Sequence, residues 1–534
     1  MTTDKRICKT CQTSFLIEPD DFMFYEKMQV PPPEECPECR LEKRILFRNF
    51  KTLYKRPSSK SGVSMISMYA SDVPFPVYTH EEWWMDDWDA KSYARDYDFS
   101  KPFFEQFKAL SDVVPRQPSM NLRCQECDYS NSIYDSKRCY LVAGGIDLEN
   151  CDYGHIVYES RDCLDNVYIR KCELCYECID CLNCNKLLYS QECENCSDSI
   201  GLFDCRSCTN CIGCVGLQQK SHYIYNKPVT KEAYGEFLKK HTIEEIMTER
   251  EKLRLSLPSR HMYGSHNNNV SGNHIWKSKN LKYCFDVFSN GEDSKFISIS
   301  RNLRNCYDIS FCPDIEEAYF VMTSIKSSRI YFSHFASASH DVYYSDFVFS
   351  SANLFGCTGL KSAEYCILNK QYSKEDYEIL KAKIIEHMKS TGEWGKWFPI
   401  WMSPFAYNES IVNEYSPLTK EQALAKGYRW KDDIPSTKGQ EKDDVDPMKR
   451  ILKCDQCERN YRFIERELVF YKKMNLPLPT KCFNCRHQRR MNLRLPRKLH
   501  PRQCAKCQKD IETSYSPARP EIVYCEQCYQ QEVI

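Results

Sequence analysis

The stretch Cys172-Glu173-Leu174-Cys175-Tyr176-Glu177-Cys178-Ile179-Asp180-Cys181-Leu182-Asn183-Cys184 has a cysteine at every third position. It lies within residues 121–227, where cysteines recur at every twenty-first position through alternating steps of twelve and nine. The columns of this repeat are Cys151, Cys172, Cys193 and Cys214, then Cys163, Cys184 and Cys205, then Cys175 and Cys196. Repeats of roughly 20 to 25 residues without a helical pattern are typical of solenoids. We therefore predict a parallel β-solenoid over residues 121–227, with like residues stacked about 4.8 Å apart.

A second repeat with fewer cysteines spans residues 265–370. Residues 280–287 return 22 positions later as residues 302–309. Aromatic residues also recur at every twelfth position, at Tyr307, Tyr319, Tyr331, Tyr343 and Phe355. The two repeats end alike, because residues 213–227 match residues 356–370 at a constant offset of 143. We predict a mainly β protein with two tandem solenoids, each closed by a capping helix, at 228–258 and at 371–390.

Three sets of paired cysteines have the spacing of closed zinc sites. They are Cys8, Cys11, Cys36 and Cys39; Cys454, Cys457, Cys482 and Cys485; and Cys504, Cys507, Cys525 and Cys528. Two thiolates from one tight turn and two from another complete a tetrahedral structural site. We predict three structural zinc ions, in zinc ribbons over residues 1–50, 451–497 and 500–534. Unrelated thiols or an iron–sulfur site are the alternatives.

The first two ribbons are copies of one module. The interval between their cysteine pairs is the same, and Arg40 and Arg44 recur as Arg486 and Arg490. The chain therefore contains a duplicated module at its two ends.

The closely spaced cysteines of the first solenoid allow two interpretations. They are Cys172, Cys175, Cys178, Cys181, Cys184, Cys193 and Cys196. Thiols this close could hold zinc, copper(I) or an iron–sulfur cluster. Free cysteine is also among the most buried residue types, and the column periodicity favours small buried side chains over additional metal ligands.

Basic residues follow both copies of the duplicated ribbon. The candidate contacts to nucleic acid are Arg40, Arg44, Arg48, Arg486, Arg489, Arg490, Arg494, Arg497 and Lys498. Such runs neutralise phosphates and give salt-sensitive affinity for RNA or DNA. They could equally offset the negative charge of the zinc thiolates or pair with acidic groups elsewhere in the protein.

Aromatic connecting segments fill the rest of the chain. Residues 51–120 contain Trp83, Trp84 and Trp88, and residues 391–450 contain Trp394 and Trp397 before a polar linker. We expect these aromatic side chains to pack on the solenoid surface.

Composition predicts a cytoplasmic protein without a membrane segment. Lys plus Arg equals Asp plus Glu, at 74 each, so net charge alone favours no partner. The first residues lack the apolar run of a signal peptide, and no apolar run is long enough for a membrane helix. In a reducing compartment, 33 cysteines are expected to be metal thiolates or buried thiols.

Three segments carry a resemblance. Residues 71–78, residues 407–424 and residues 515–525, together with the cysteine spacings, resemble a family of uncharacterised bacterial multi-zinc-ribbon, cysteine-rich proteins from little-cultivated lineages. The resemblance covers nearly the whole chain and implies a cytoplasmic bacterial protein. It implies no activity, because none is established for that family.

Three functions follow as hypotheses. The first is a non-enzymatic zinc-binding scaffold or adaptor that binds nucleic acid, a ribosome or a protein through its basic ribbons and solenoid surface. The second is a solenoid enzyme acting on a carbohydrate or another polymer, with Asp286 and Asp308 placed in one column. The third is a thiol-rich protein for metal storage or sensing.

Overall fold

The computed structural model describes residues 2–533, and in that range it is mainly a β-solenoid of about 20 turns with 12 α-helices. Its contacts divide the chain into two compact units. Unit 1 contains the chain up to Pro118 and Gly264–Asp433, and unit 2 contains Ser119–Tyr263 and the chain from Ile434 onward. Each unit therefore combines one end of the chain with one stretch of its middle.

The α-helices are α1 (Pro19–Lys27), α2 (Pro37–Ile45), α3 (His80–Trp84), α4 (Phe103–Ser111), α5 (Lys231–Lys240), α6 (Ile243–Ser256), α7 (Lys374–Ser390), α8 (Val412–Tyr415), α9 (Lys420–Ala425), α10 (Glu465–Lys473), α11 (Phe483–Leu493) and α12 (Glu526–Val533). Short 3-10 turns lie at Ala90–Tyr93, Ile400–Met402 and Tyr407–Glu409.

The strands are β1 (Asp4–Ile7), β2 (Ser14–Ile17), β3 (Tyr54–Pro57), β4 (Ser64–Ser67), β5 (Gln125–Asp128), β6 (Asn131–Tyr134), β7 (Lys137–Tyr140), β8 (Ala143–Glu149), β9 (His155–Arg161), β10 (Asn185–Leu188), β11 (Ser197–Ile200), β12 (Thr209–Ile212), β13 (Ser221–Ile224), β14 (Lys227–Pro228), β15 (Ser259–Arg260), β16 (Gly264–Ser265), β17 (Asn268–Trp276), β18 (Lys279–Val287), β19 (Gly291–Lys295), β20 (Ser298–Ile325), β21 (Ser327–Ser337), β22 (His340–Tyr343), β23 (Val348–Phe349), β24 (Ala352–Phe355), β25 (Glu364–Ile367), β26 (Lys370–Gln371), β27 (Leu452–Lys453), β28 (Asn460–Tyr461), β29 (His500–Gln503), β30 (Asp510–Thr513) and β31 (Val523–Tyr524). Strands β5 to β13 build the solenoid of unit 2, and strands β16 to β25 build that of unit 1.

The parallel pairing of the strands sets the length of a coil. In unit 2, Asn185 pairs with Ser197, which pairs with Thr209. In unit 1, His340 pairs with Ala352, which pairs with Glu364. Most coils therefore advance the chain by twelve positions, while the first coils of unit 1 are one residue shorter or longer, as between Asn268 and Lys279 and between Phe285 and Ser298. The longer coil predicted from the cysteine recurrence is wrong, because a recurrence at every twenty-first position combines one full coil with three quarters of the next.

Each coil consists of four sides of three residues. In most triplets one residue has a positive φ, as at Asp162 (50°), Asp165 (56°) and Tyr168 (58°). The residue after it points inward, as Cys163 and Asn166 do. Aspartate and asparagine tolerate the left-handed conformation better than most residues, which explains their frequency at these turns.

Main-chain hydrogen bonds join each coil to both of its neighbours. The Leu164 N–H donates to the Cys175 carbonyl at 3.0 Å, and the Asp165 N–H donates to the Asp152 carbonyl at 3.1 Å. Since every side is only three residues long, the coil encloses a narrow interior that small side chains fill. Cysteine, serine and short aliphatic residues accordingly occupy the inward positions, and the twelve-position register stacks them in columns. One column contains Cys127, Cys139, Cys151, Cys163 and Cys175, and another contains Cys172, Cys184, Cys196 and Cys208.

The same register separates the two aspartates that the enzyme hypothesis places together. Phe285 pairs with Ser298, so Asp286 stacks next to Ile299. Lys295 pairs with Tyr307, so Asp308 stacks next to Phe296. The prediction that Asp286 and Asp308 share a column is wrong, because it took the interval between the two similar segments to be one coil.

Helices follow both solenoid segments, α7 in unit 1 and, in place of the single helix predicted over 228–258, the two helices α5 and α6 in unit 2. In unit 1, Ser373 caps α7 by accepting the Asp376 N–H at 3.1 Å, and Tyr377 packs against Tyr365 with ring centroids 5.8 Å apart. In unit 2, Phe237 of α5 packs against Tyr225 at 5.8 Å. The apolar faces of these helices thus lie against the last strands of the solenoids.

Candidate metal centres

Each four-cysteine group is formed by a hairpin turn and the start of a helix. In the first group, the Cys8 N–H donates to the Thr13 carbonyl at 2.9 Å, and the Gln12 N–H donates to the Cys8 carbonyl at 3.0 Å. Gln12 has a φ of 59°, which closes the turn and directs the thiols of Cys8 and Cys11 toward one point. Cys36 is the N-cap of α2, and Cys39 lies in its first turn.

The three groups share this geometry. In each group the four sulfur atoms lie within 4.8 Å of one another. The sulfur atoms of Cys11 and Cys36 are 3.6 Å apart, those of Cys457 and Cys482 are 3.6 Å apart, and those of Cys507 and Cys525 are 3.8 Å apart. All twelve predicted cysteine ligands therefore lie in these three groups, each of which could hold a metal ion.

Main-chain N–H groups donate hydrogen bonds to cysteine sulfur atoms at these centres. The Cys36 N–H donates to the sulfur of Cys8 at 3.3 Å, and the Cys525 N–H donates to that of Cys504 at 3.3 Å. Burial raises the pKa of the Cys504 thiol, but N–H groups of Cys507 and Cys525 outweigh it and lower that pKa to about 6. Four soft thiolates held this close fit a tetrahedral metal ion.

The helix of the first module is docked on the solenoid of unit 1 by arginines. The Nε of Arg40 lies 3.0 Å from one carboxylate oxygen of Asp308, and the Nη1 of Arg44 lies 2.8 Å from the other. Arg48 donates to the hydroxyl of Thr323. All five side chains are buried. The aspartate therefore binds two guanidinium groups where the module meets the coil.

The second module repeats this arrangement in unit 2. The Nε of Arg486 lies 2.9 Å from one carboxylate oxygen of Asp165, and the Nη2 of Arg490 lies 2.7 Å from the other. Arg490 also pairs with Glu177, whose oxygen lies 2.7 Å from its Nη1. Arg486 lies 446 positions after Arg40, which is the offset between the two copies of the module, and Asp308 lies 143 positions after Asp165, which is the offset between the two solenoids. The contact between arginine and aspartate is therefore present in both copies.

A third arginine continues the row in each module. Arg494, the counterpart of Arg48, lies 2.9 Å from a carboxylate oxygen of Asp180 and stacks over Tyr168 at 3.6 Å. Arg497 also donates to the Tyr168 hydroxyl.

Six of the nine predicted nucleic-acid residues are therefore buried within the protein. They are Arg40, Arg44, Arg48, Arg486, Arg490 and Arg494. Contact with a phosphate backbone would require these side chains to leave their partners in the solenoid. Their positions instead match the alternative interpretation of the basic runs, in which the charges pair with groups elsewhere in the protein. Arg489, which is paired with Glu177 at 2.6 Å, and Lys498 are exposed.

The seven closely spaced cysteines of the solenoid do not converge on a centre. Within residues 2–533, none of Cys172, Cys175, Cys178, Cys181, Cys184, Cys193 and Cys196 belongs to a group of three or more potential ligands lying within 4.8 Å of one another. Their thiols donate to main-chain carbonyls, as Cys178 does to Leu187 at 3.2 Å. Burial raises the pKa of the Cys172 and Cys178 thiols well above the usual value, whereas hydrogen bonds from neighbouring thiols lower the pKa of Cys175, so these thiols interact along the core.

The two aspartates of the enzyme hypothesis are not accessible to a substrate. Asp286 and Asp308 are fully buried. Asp286 lies 3.6 Å from the Nδ1 of His274, and Asp308 is paired with the two arginines of α2. Neither carboxylate faces solvent, where a polymer substrate would bind.

Fold and site together define a β-solenoid protein with three four-cysteine groups that could hold metal ions. Comparison of the chain with protein-family models, with curated proteins and with solved structures gives no match. Within the described residues, no helix is both long enough and apolar enough to cross a membrane.

Proposed function

We propose that this protein is a non-enzymatic, zinc-dependent scaffold or adaptor. Zinc ions fold the small ribbon modules, each copy of the duplicated module holds one of the two solenoids, and the remaining outward rows of the solenoids bind a partner protein. The observation that carries the proposal is the repeated burial of two module arginines against one solenoid carboxylate, at Asp308 and at Asp165. A duplicated contact between module and solenoid indicates that positioning the solenoid is what the modules do.

Zinc is the ion that best suits this role. Four thiolates leave no open position for water, so such a site stabilises a fold and does not catalyse a reaction. In small modules of this kind the binding energy of the metal contributes directly to folding. The metal would thereby control whether α2 and α11 can present their arginines to the solenoid.

The exposed rows of the solenoids favour a protein partner over a nucleic acid. Outward side chains pair along the columns with opposite charges, as Arg329 does with Asp341 at 2.7 Å and Lys137 with Glu149 at 3.0 Å. Rows of alternating sign create no extended positive potential of the kind that attracts a phosphate backbone.

Co-purification from the source cells tests the proposal. A tagged chain is purified with and without nuclease, and with and without a zinc chelator. We expect a specific protein partner that survives nuclease and is lost on chelation. Retained RNA or DNA that nuclease removes would contradict the choice of partner, and a partner that withstands complete chelation would contradict the zinc dependence.

Metal content distinguishes the scaffold from a storage protein. We expect about three zinc ions per chain, the number that three closed sites hold. Changing both Cys175 and Cys178 to serine should leave this number unchanged, because serine already occupies inward positions of the same solenoid, such as Ser190 and Ser199. A clear excess of metal that this double variant removes would support storage instead.

A further inference from the structure

Residues 54–84 repeat the third four-cysteine module strand for strand. Hairpin β3–β4 pairs Tyr54 with Ser67 and Pro57 with Ser64. Hairpin β29–β30 pairs His500 with Thr513 and Gln503 with Asp510. Every one of these positions differs from its counterpart by 446, the offset that also relates the first two modules.

The turn of this hairpin has the hydrogen bonds of a metal-binding turn. The Ser58 N–H donates to the Val63 carbonyl at 2.8 Å, as the Cys504 N–H donates to that of Lys509 at 2.8 Å. The Gly62 N–H donates to the Ser58 carbonyl at 3.0 Å, and its counterpart from Gln508 to Cys504 measures 2.9 Å. The residues that close the two turns have φ values of 76° and 62°.

The second half of the module matches equally well. Thr79 precedes α3 as Cys525 precedes α12, and the Trp83 N–H donates to the Thr79 carbonyl at 3.0 Å. The corresponding bond from Tyr529 to Cys525 is also 3.0 Å long. The four metal-ligand positions Cys504, Cys507, Cys525 and Cys528 thus correspond to Ser58, Ser61, Thr79 and Glu82.

A carboxylate links these four positions. Glu82 is buried and accepts hydrogen bonds from the Ser58 hydroxyl and, at 2.9 Å, from the Thr79 N–H. The Thr79 hydroxyl in turn accepts the Glu82 N–H at 3.1 Å. Burial raises the pKa of Glu82, but hydrogen bonds from Ser58, Ser61 and Thr79 outweigh it and lower that pKa to about 2. The side chain is therefore an anion that connects the hairpin turn to the helix.

This module keeps the docking contacts of its metal-binding counterpart. Val77 forms a parallel bridge with Arg116 in unit 1, as Val523 pairs in parallel with Ser259 in unit 2. Trp83 is fully buried and donates its indole N–H to the Pro115 carbonyl at 3.0 Å. The hairpin and the helix are thus held in the same arrangement as in the third module.

We infer that residues 54–84 form a fourth module, a second copy of the third one that folds without metal, because the carboxylate of Glu82 joins hairpin and helix where a metal ion would join them in the third module. Unit 1 then depends on one metal ion and unit 2 on two. Removal of metal should consequently break the contacts between the third module and its unit, while the contacts of the fourth module remain intact.

Restoring the four thiols tests this correspondence. The full-length variant S58C/S61C/T79C/E82C and the wild-type chain are loaded with cobalt(II), and the thiolate-to-cobalt absorption per chain is measured. We expect a rise of about one third, from three tetrathiolate sites to four. The matched control S58C/S61C has only two new thiols and should stay at the wild-type value. A folded quadruple variant with the wild-type absorption would overturn the inference.

A second measurement applies to the wild-type chain and does not require the variant to fold. Hydrogen exchange is followed before and after complete removal of metal by a chelator. We expect residues 500–530 to lose protection while residues 54–84 retain it. Loss of protection over 54–84 while the solenoid strands β21 and β22 stay protected would show that this module also requires a metal ion.

Discussion

At the scale of single residues, one buried aspartate connects each copy of the duplicated module to a solenoid. Asp308 and Asp165 lie at left-handed turns of their coils, with φ values of 58° and 56°. The side chain at such a turn leaves the coil, so it can reach the arginines of a docked helix. Each carboxylate there compensates two guanidinium groups that are removed from water.

Replacing Asp308 with asparagine should strongly destabilise unit 1. The change keeps the shape of the side chain but leaves Arg40 and Arg44 buried without a counter-charge, which typically costs about 3 to 5 kcal/mol of the free energy of unfolding. Urea unfolding measures the effect. Asp341→Asn is the matched control, because its partner Arg329 is 46% exposed and the loss of such a pair costs about 0 to 1 kcal/mol. Equal losses in the two variants would contradict the role assigned to Asp308.

The stability of the fourth module, residues 54–84, should depend on pH through the ionisation of Glu82. The pKa of this side chain is about 2 in the folded protein against an ordinary value of 4.5. Ionised Glu82 therefore stabilises the folded state above pH 4.5, and this stabilisation is lost as the pH falls from 4.5 toward 2. In Glu82→Gln the side chain cannot ionise. We expect hydrogen-exchange protection of residues 54–84 to differ between wild type and variant at pH 6 and to converge near pH 2. A difference that does not change with pH would count against this assignment.

At the scale of elements, two kinds of cysteine have two different environments. The inward cysteines of the coils line a narrow core and donate to main-chain carbonyls, as Cys357 does to that of Cys366 at 3.3 Å. The cysteines of the modules converge in groups of four whose sulfur atoms lie within 4.8 Å of one another. The local backbone causes this difference. The three-residue sides of the coils place successive thiols one after another along a narrow core, whereas a hairpin turn and the start of a helix bring four thiols to one point.

Changing Cys485 to serine should remove one metal ion and loosen α11. We expect metal content to fall from about three ions per chain to about two, since three thiolates hold the ion poorly. Hydrogen exchange should then increase across Phe483–Leu493, because α11 loses the centre at its first turn. Cys357→Ser is the control, since Ser345 occupies the preceding position of the same column and donates to a carbonyl in the same way. An equal loss of metal in both variants would refute the distinction between the two kinds of cysteine.

At the scale of the whole molecule, each end of the chain packs on the solenoid that is farther from it in the sequence. Unit 1 joins the N-terminal modules to the second solenoid, and unit 2 joins the first solenoid to the C-terminal modules. Corresponding residues of the duplicated module and of the two solenoids are in contact in both units. Tyr25 meets Tyr319 in unit 1 and Tyr471 meets Tyr176 in unit 2, both with ring centroids 5.7 Å apart.

Two separate fragments should therefore reconstitute unit 2. We expect co-expressed chains covering residues 119–263 and 434–534 to co-purify as a stable one-to-one complex, because Asp165, Asp180 and strand β15 all find their partners in the second fragment. Size-exclusion chromatography with mass determination provides the measurement. The control carries Asp165→Asn and Asp180→Asn, which remove the carboxylates paired with Arg486, Arg490 and Arg494 and should strongly weaken the complex. Fragments that do not associate, or that associate equally well with both changes, would contradict this division of the chain.

Much of the fold can be predicted from local patterns in the sequence. Small residues at every third position indicate a narrow core, and the aromatic spacing of twelve from Tyr307 to Phe355 is the coil length itself. The spacing of the cysteines indicates a period longer than the true coil. Cysteine occurs in several inward columns, so cysteines of different columns are mixed along the sequence. The fourth module lacks the cysteines that mark the other three, although Pro76-Val77-Tyr78 and Ile522-Val523-Tyr524 differ by the same 446 positions as the modules.

Spacing along a continuous stretch of chain is enough to establish the mainly β solenoid class, the two duplications and the twelve cysteines that gather in three groups. Which solenoid each module contacts, and where the basic side chains point, follows from the tertiary structure alone. Arg40 and Asp308 are 268 positions apart, and many aspartates offer the same charge. The choice among them is made by the packing of helix against coil, since the free energy of burying a charge depends on the partners that the folded chain supplies.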